Sequence, residues 1–383
     1  MRTLRAGAAG VPQMRPLRVC QLITELRPAG AERCVFELAR RLDRRRFDVR
    51  VAALRGGAMA DELRKAGVET AVLGLLGKWD VLKVFKLAGL LRQWRIDVLH
   101  THLFHADLAG RLAGAIAGVP HVVHTVHVAE KRFRPWRFAW ARLAAGWCDR
   151  IVAVSRDVAE HHARLSGLPL HRYEVIPNGV DVAAFARDPA ARKRLRSEWA
   201  VSDDRVVAAF VGRLDRQKGL DVLLLAMDAL RMRTPDLRLV IAGDGPRRRE
   251  IESLVAKLRL GDRVRMLGFV RDVRAVLSAA DLFVMPSRWE GFGLAAAEAM
   301  AAGLPVIAAG AAGLRELVVD GRTGILVEAD DPEAVARSIE VLAYDSSRRA
   351  ELGRAGAARV EENFRIERNI AAHERLYEAV SNP

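Results

Sequence analysis

The sequence predicts an α/β fold of two Rossmann-like domains, each a doubly wound parallel sheet, which face each other across a central cleft. Short β-rich apolar runs alternate with helical segments along the chain, which is the pattern of βα units around parallel sheets. The chain has 383 residues, more than one hydrophobic core usually accommodates, so two domains are expected. Ligands of such sheets bind at the carboxyl ends of the strands, here in the cleft.

The predicted strands form two sets, one on each side of a mixed segment at residues 178–202. The first set covers residues 18–24, 49–54, 68–73, 98–101, 122–126, 151–155 and 175–177. The second set covers residues 206–212, 237–242, 264–269, 282–285, 305–308 and 324–327. The mixed segment contains Pro189 and a basic stretch, and is predicted to be a linker followed by the first helix of the second domain.

These elements divide the chain into four parts. Residues 1–16 contain arginines but no sustained apolar run, so we predict a flexible lead-in and no signal peptide. Residues 17–180 are predicted to form the first domain and residues 181–365 the second. Residues 366–383 are predicted to form an amphipathic C-terminal helix that can cross back to the first domain.

Composition limits the class of protein. The three cysteines lie far apart in the sequence, which argues against a disulfide framework and a zinc site and favours a reducing, cytoplasmic location. The net charge of +15 suits a polyanionic partner, although an arginine-rich composition alone explains it equally well. The longest apolar run, residues 294–314, contains Glu298 and several glycines, and is predicted to be a helix, a turn and a strand and not a membrane span.

An anion site is predicted where the strand at residues 206–212 ends. In FVGRLDRQKGL (residues 210–220), Arg213 follows Gly212 and Lys218 precedes a helix, so both cations and free backbone N–H groups can converge on one anion. A guanidinium fork with an ammonium suits a diphosphate. The alternative is that both side chains are solvated surface cations.

A second loop, IAGDGP, follows the next strand of this set. Gly243 and Gly245 allow the backbone to approach a ligand, and Pro246 suits the first position of a helix. The alternative is a plain turn in which Asp244 caps that helix.

Two glutamates flank a glycine-rich loop at the end of the strand at residues 282–285. Glu290 is predicted to lie in the loop and Glu298 in the following helix, so both can face the cleft. A helical carboxylate there can accept hydrogen bonds from the two hydroxyls of a ribose, and the loop carboxylate can contact a second polyol. A salt-bridged glutamate on a solvated helix face is the alternative, which the neighbouring alanines and Met300 disfavour for Glu298.

In combination, these motifs resemble those of the retaining glycosyltransferases of family four, which have the GT-B fold. The similarity extends over nearly the whole chain after about residue 16. The motifs are EGFGLAAAE at 290–298, GRLDRQKG at 212–219, GDGP at 243–246 and IPNGVD at 176–181.

The resemblance implies roles for particular residues. Arg213 and Lys218 would hold the donor diphosphate and stabilise it as it leaves, Glu298 would bind the donor ribose, and Glu290 would lie beside the transferred sugar. His127 matches an active-site histidine at a strand end, and we count it, Arg213, Lys218 and Glu290 as catalytic. The remaining donor-binding positions are Gly30, Asn178, Gly212, Gly243, Asp244, Gly291, Phe292, Gly293 and Leu294.

The resemblance also implies that the first domain binds the acceptor and that the second binds the donor. In the loop PAGAER (residues 28–33), Ala29 replaces a glycine that the family often has. Other histidines cluster near His127, and of these His102 and His105 are predicted to be structural. A metal site is not expected, because no D-x-D motif is present and GT-B enzymes use cations and helix N-termini in place of a metal. No cofactor is expected, only a nucleotide-diphospho-sugar as donor substrate.

In such retaining enzymes the acceptor attacks on the face from which the diphosphate departs, and the leaving oxygen receives the acceptor's proton. Catalysis would then rest on positioning and on electrostatic stabilisation of the leaving group. The predicted acceptor is a glycan or a lipid-linked molecule, in exopolysaccharide, lipopolysaccharide or glycolipid assembly.

The segment at residues 131–147 is basic and aromatic. Trp136, Trp140, Leu143 and Trp147 form one helical stripe, which suits a helix lying on an anionic membrane at the inner face of the cell. The alternative is that the stripe packs against the first sheet.

Two other functions compete with sugar transfer. A GT-B nucleotide-sugar epimerase would need no acceptor, and the spacing of Glu290 and Glu298 argues against it. A non-catalytic polyanion-binding protein, for example one that binds nucleic acid, should show a basic stripe with interleaved aromatics. The arginines are instead spread through both domains, so nucleic acid is not expected as a partner.

Overall fold

A computed structural model describes residues 15–74, 81–129 and 134–382 and shows two parallel sheets. The first sheet contains β1 (Leu17–Glu25), β2 (Phe47–Arg55), β3 (Glu69–Val72), β4 (Val98–His102), β5 (His121–Val126), β6 (Arg150–Ala153) and β7 (Tyr173–Val175). Its order is β3-β2-β1-β4-β5-β6-β7. Its connecting helices are α1 (Gly30–Arg41), α2 (Met59–Lys65), α3 (Val81–Trp94), α4 (Phe104–Ala117), α5 (Pro135–Leu143) and α6 (Arg156–Ser166).

The second sheet follows α7 (Pro189–Glu198). Its strands are β8 (Val207–Val211), β9 (Arg238–Ala242), β10 (Val264–Gly268), β11 (Leu282–Met285), β12 (Val306–Ala309) and β13 (Ile325–Val327), in the order β10-β9-β8-β11-β12-β13. Its helices are α8 (Leu220–Ala229), α9 (Arg248–Lys257), α10 (Val273–Ala279), α11 (Leu294–Ala301), α12 (Gly313–Leu317), α13 (Pro332–Tyr344) and α14 (Ser346–Asn363). The chain ends with α15 (Ile366–Ser381).

The predicted fold class is confirmed, and every predicted strand is present, with ends that differ by at most two residues. The predictions succeed because both sheets are covered by helices on their two faces. Parallel strands in that position are continuous apolar runs, as β8 (VAAFV) and β11 (LFVM) are, and such runs are visible in the sequence. Among the described helices, none has the length and apolarity to cross a bilayer.

The carboxyl edges of the two sheets face each other. The backbone of Gly291, after β11, packs against the carbonyl of His127, after β5, so closely that a Cβ on Gly291 would lie 1.9 Å from that oxygen. On the same side, the Glu316 carboxylate accepts hydrogen bonds of 3.1 and 2.9 Å from the backbone N–H groups of Arg156 and Asp157, at the start of α6. The loops that carry the predicted site residues therefore meet at this junction.

Helix α15 packs on the first sheet, although it follows the second domain in the chain. Ile366, Ile370 and Leu376 are buried in the same core as residues of β1 and β2. Tyr377 is fully buried, and its hydroxyl accepts a 2.9 Å hydrogen bond from the side-chain amide of Gln21 on β1. The Tyr377 hydroxyl of this helix therefore lies in the interior of the first domain.

Candidate active site

Lys218 and Glu290 form the centre of the charged part of the site. Lys218 lies in the turn between β8 and α8, and its Nζ is 2.9 Å from both carboxylate oxygens of Glu290. The Glu290 residue is only 8% exposed. The two residues therefore neutralise each other at the carboxyl end of the second sheet.

Gln217 fixes the orientation of the Glu290 carboxylate. Its side-chain amide donates to Glu290 Oε2 at 3.2 Å and to the Trp289 carbonyl at 3.0 Å. The lysine and the amide thus hold the carboxylate from the same turn. Sequence analysis did not single out Gln217, whose only signal was its position beside Lys218.

Arg213 lies in the same loop but is far more open to solvent. Its side chain is 64% exposed, and its Nε is 3.6 Å from Asp215 Oδ2. Burial raises the pKa of Glu32, at the start of α1, to about 7, while the charge of Arg213 lowers it. Arg213 therefore faces the first domain across the cleft and is accessible to a ligand.

Glu298 contacts the first domain directly. It lies on α11, is 4% exposed, and pairs with Arg33 of α1 at 2.7 Å between Nη1 and Oε1. Burial raises the pKa of Glu298 to about 7, and the Arg33 guanidinium acts against that rise. The structure thus gives the predicted ribose-binding carboxylate a cationic partner that sequence analysis missed, although Arg33 stands in the quoted loop PAGAER.

The glycine-rich loops pack against one another behind these charges. Gly243, after β9, has φ +154°, and a Cβ there would lie 1.9 Å from the Gly212 carbonyl oxygen. This approach requires glycine whether or not a ligand is bound. It places the GDGP loop directly beside the loop that carries Arg213.

Both interpretations of the GDGP loop need correction at its helix. Helix α9 begins at Arg248, so Pro246 precedes it and does not occupy its first position. Asp244 does not cap the helix either, because its Oδ1 accepts a 2.7 Å hydrogen bond from the Gly245 N–H and its Oδ2 contacts Arg248. The residue before α9 is Arg247, whose side chain makes no capping hydrogen bond.

The other predicted donor-binding residues lie at the starts of α1 and α11 and in the connection between the two domains. Gly30 begins α1, and Leu294 begins α11 beside Gly293, whose φ is +91°. The Phe292 ring packs on Phe364 with 5.3 Å between centroids. Asn178 lies in the segment after β7 that leads to the second domain.

On the first sheet, His127 follows β5 and faces a different environment. Its Nε2 is 2.9 Å from Nδ1 of His102 on β4. Burial is the main cause that lowers the pKa of His127 to about 3, so its imidazole is neutral at physiological pH. His127 also lines a cavity of about 200 Å³, together with Phe104, His105 and Trp140.

The stripe predicted in residues 131–147 does not pack on the first sheet. The first three residues of this segment lie outside the described ranges. In α5, the buried residues are Phe138 and Ala141. Leu143 is 83% exposed, Trp147 48% and Trp136 44%. The aromatic and aliphatic side chains of the stripe therefore face outward or stand half-buried.

No three His, Cys, Asp or Glu side chains in residues 15–74, 81–129 and 134–382 are arranged to hold a metal ion. Lys218, Arg213 and Arg33 carry positive charge at the site.

Two facing parallel-sheet domains with this cleft are the GT-B architecture of nucleotide-sugar-dependent glycosyltransferases. The family model "Glycosyltransferase Family 4" matches residues 28–184, and the model "Glycosyl transferases group 1" matches residues 191–359. The chain belongs to glycosyltransferase family 4.

Individual relatives agree with this assignment. The chain is 34% identical over 294 residues to the alpha-maltose-1-phosphate synthase of Mycolicibacterium smegmatis, covering 70% of this chain and 75% of the relative. It is 29% identical over 326 residues to a UDP-Gal:alpha-D-GlcNAc-diphosphoundecaprenol alpha-1,3-galactosyltransferase of Escherichia coli, covering 81% and 84%. The crystal structure of Anabaena HepE with UDP and glucose has the same fold, with a TM-score of 0.87 and 24% identity over 95% of this chain and 100% of HepE.

Proposed function

We propose that this protein is a retaining, metal-independent glycosyltransferase that moves a sugar from a nucleotide-diphospho-sugar to a glycan or a lipid-linked acceptor. The observation that carries this proposal is the Lys218–Glu290 pair beside the exposed Arg213, at the carboxyl end of the second sheet. A charged ligand can enter such a site by exchanging partners with groups that are already in place.

The donor diphosphate would bind where Arg213, Lys218 and the N-terminus of α8 converge. Its negative charge would compete with Glu290 for Lys218, and Arg213 can approach from the solvent side without breaking a close ion pair. Glu298 would accept from the hydroxyls of the ribose. A UDP-sugar is the first donor to test, because the E. coli relative is named for UDP-Gal and HepE was crystallised with UDP.

The proposed reaction exchanges one bond for another on a single face of the sugar. The bond between the anomeric carbon and the diphosphate oxygen breaks, and the acceptor hydroxyl oxygen forms the new bond. The hydroxyl proton passes to the departing diphosphate oxygen. Glu290 is held by Lys218 and Gln217, an arrangement that suits an orienting group better than a free nucleophile.

We propose that the reaction needs no metal because of the same arrangement. As the diphosphate leaves, negative charge develops on its oxygens, and cations that already contact it stabilise that charge. Lys218 and Arg213 would supply what a divalent cation supplies in other transferases. Chelation with EDTA should therefore leave the turnover unchanged.

The acceptor would bind in the first domain, at the cavity that His127, Phe104 and Trp140 line. This cavity opens beside α5, whose outer face carries Trp136 and Leu143, and Trp147 is exposed in the turn that follows. A lipid-linked acceptor could then remain in the inner leaflet of the cell membrane while its head group reaches His127. Arg134 and Arg142, which are both exposed, would face the anionic head groups.

Co-sedimentation with anionic liposomes at low salt tests the membrane contact. Leu143→Glu should reduce the bound fraction strongly, whereas Met232→Glu, at an equally exposed apolar residue of the second domain, should not. Equal binding of both variants would contradict docking through α5.

A donor panel tests the proposed activity itself. Purified protein in EDTA is mixed with UDP-, GDP- and ADP-sugars, and thermal shift and release of nucleoside diphosphate are measured. We expect one nucleotide to stabilise the protein selectively, with slow hydrolysis of its sugar. If none stabilises it, the donor site described here is not formed; if turnover requires a divalent cation, the metal-independent mechanism is wrong.

A further inference from the structure

A chain of hydrogen bonds connects His127 to the C-terminal helix. His127 Nε2 lies 2.9 Å from His102 Nδ1, and His102 Nε2 lies 2.7 Å from the side-chain oxygen of Gln21. The Gln21 amide donates to the Tyr377 hydroxyl at 2.9 Å. These four residues come from the loop after β5, from β4, from β1 and from α15, and three of them are fully or almost fully buried.

The chain continues beyond Tyr377 to a second end. His100 Nδ1 is 2.7 Å from the Tyr377 hydroxyl, and His100 Nε2 is 2.6 Å from the Thr125 hydroxyl oxygen. Burial lowers the pKa of both His100 and His102 well below the ordinary range, so these rings are neutral. A neutral imidazole has one donor and one acceptor nitrogen, and each contact in the chain therefore constrains the next.

The orientation of Gln21 sets the direction of the whole chain. Because the Gln21 oxygen accepts, His102 must carry its proton on Nε2, which leaves Nδ1 as an acceptor. His127 must then donate from Nε2, so its own Nδ1 has no proton. The two nitrogens of an imidazole point away from each other, which directs the Nδ1 lone pair of His127 away from His102.

We propose that Tyr377, Gln21 and His102 are positioning residues that fix His127 as the Nε2-protonated tautomer, so that its Nδ1 accepts a hydrogen bond from a substrate hydroxyl. This inference rests on the proposed function for the identity of the substrate, a sugar or a sugar-like acceptor. It makes α15 part of the catalytic apparatus, although none of its side chains needs to touch the substrate.

Tyr377 is the residue to change, because two residues separate it from His127 in the chain of hydrogen bonds. Tyr377→Phe removes the acceptor of the Gln21 amide and leaves all groups at the cleft unchanged. Without that acceptor Gln21 can rotate, and His102 and His127 can each adopt either tautomer. Tyr173→Phe is the control, because Tyr173 is a partly buried tyrosine of the first domain whose hydroxyl also lies close to a histidine, at 2.6 Å from His162, outside this chain.

The tautomer is read from the ¹⁵N chemical shifts of the His127 ring in ligand-free protein. We expect a proton on Nε2 in the wild type and in Tyr173→Phe, and a mixture of tautomers in Tyr377→Phe. A wild-type His127 with its proton on Nδ1, or an unchanged tautomer in Tyr377→Phe, would overturn the proposal.

Turnover provides the second measurement. Misplacement of a reacting group by a fraction of an ångström is costly, so Tyr377→Phe should lower kcat for donor-sugar turnover about tenfold or more. The affinity for the nucleoside diphosphate should stay unchanged, because that ligand binds on the second domain. Unchanged kcat would contradict a positioning role. If wild-type protein turned over no nucleotide-sugar, the proposed function would fail, whereas the ¹⁵N shifts would still decide whether the chain fixes His127.

Discussion

The carboxyl edges of the two sheets face the same cleft, but one edge carries charged side chains and the other carries neutral histidines. The edge of the second sheet carries formal charges, with Lys218 paired to Glu290, Arg213 open to solvent, and Glu298 paired across the cleft to Arg33. The edge of the first sheet carries neutral histidines joined by hydrogen bonds, and burial lowers the pKa of His127 to about 3.

This difference matches the two halves of the proposed reaction. A diphosphate carries charge and needs cations that can exchange partners, whereas an acceptor hydroxyl is neutral and needs a hydrogen-bond acceptor of fixed direction. A protonated histidine opposite the donor would also compete for the diphosphate. The burial that keeps His127 neutral therefore separates the two binding tasks.

The largest effect should come from the charged edge. Lys218→Ala removes a cation that would stabilise the leaving diphosphate, and we expect turnover to fall by roughly 10²–10³-fold, as for loss of one preorganised donor in an acyl-transfer site. Steady-state release of nucleoside diphosphate measures it.

Two further variants interpret that loss. Arg216→Ala, at an exposed arginine of the same turn, should behave like wild type. The double variant Lys218→Ala/Glu290→Gln removes the buried carboxylate that Lys218→Ala leaves without its cation. If the double variant regained normal turnover, Lys218 would serve only to neutralise Glu290.

The neutral edge should respond to acid. Folding lowers the pKa of six histidines of the first domain and α15, so the unfolded chain binds more protons below pH 6.5 and stability falls as the pH falls, by about 1.4 kcal/mol per pH unit for each group. They are His100, His102, His124, His127, His162 and His373. Glu32 and Glu298, whose pKa burial raises to about 7, oppose this trend because they gain protons in the folded state.

The net loss between pH 6 and pH 5 should be roughly 3–5 kcal/mol, obtained by subtracting the contribution of the two glutamates from that of the six histidines. Urea unfolding at pH 7, 6 and 5 measures it. Stability that stays constant or rises as the pH falls would mean that the histidines are not held in their neutral form.

A smaller effect is expected at the ribose carboxylate. Glu298→Gln keeps the shape of the side chain but replaces a charged acceptor, and hydrogen bonds to charged groups contribute about 1.5–3 kcal/mol. The affinity for the nucleoside diphosphate should fall roughly tenfold to a hundredfold, measured by calorimetry. Unchanged affinity would show that Glu298 serves the contact with Arg33 and does not bind the nucleotide.

The smallest effect should come from Arg33→Ala. Arg33 lowers the pKa of Glu298, so its removal should raise that pKa above about 7 and leave more of the carboxyl protonated at pH 7. We expect nucleotide binding a few-fold weaker at pH 7 and close to wild type at pH 8.5, where the carboxyl is more fully ionised. Tighter binding at pH 7 would instead show that Arg33 competes with the ribose for Glu298.

Sequence analysis located single residues of the site better than it located the contacts between them. Arg213, Lys218 and Glu290 could be placed because an apolar run, a glycine and a helix start fix a strand end locally. The contact between Arg33 and Glu298, and the hydrogen bond between Gln21 and Tyr377, join residues far apart in the chain. The periodicity of apolar residues gives no information on contacts between residues far apart in the chain. These pairs are therefore visible only in the packing of the two domains and α15.

The stripe formed by Trp136, Leu143 and Trp147 shows the same limit of sequence analysis. Helical spacing placed Trp136, Leu143 and Trp147 on one face but did not tell which face is buried. The structure buries the side of Phe138 and Ala141 instead. Large apolar side chains are usually buried, and the exposure of this face is the observation on which the proposed membrane contact rests.

Calorimetric titration of UDP into wild type, Lys218→Ala and His127→Asn tests the division of labour between the two edges most directly. The account predicts that Lys218→Ala weakens UDP binding at least tenfold, and that His127→Asn binds UDP like wild type although it is defective in turnover. The opposite result would contradict the assignment of the donor diphosphate to the second sheet: UDP binding that is weaker in His127→Asn and unchanged in Lys218→Ala.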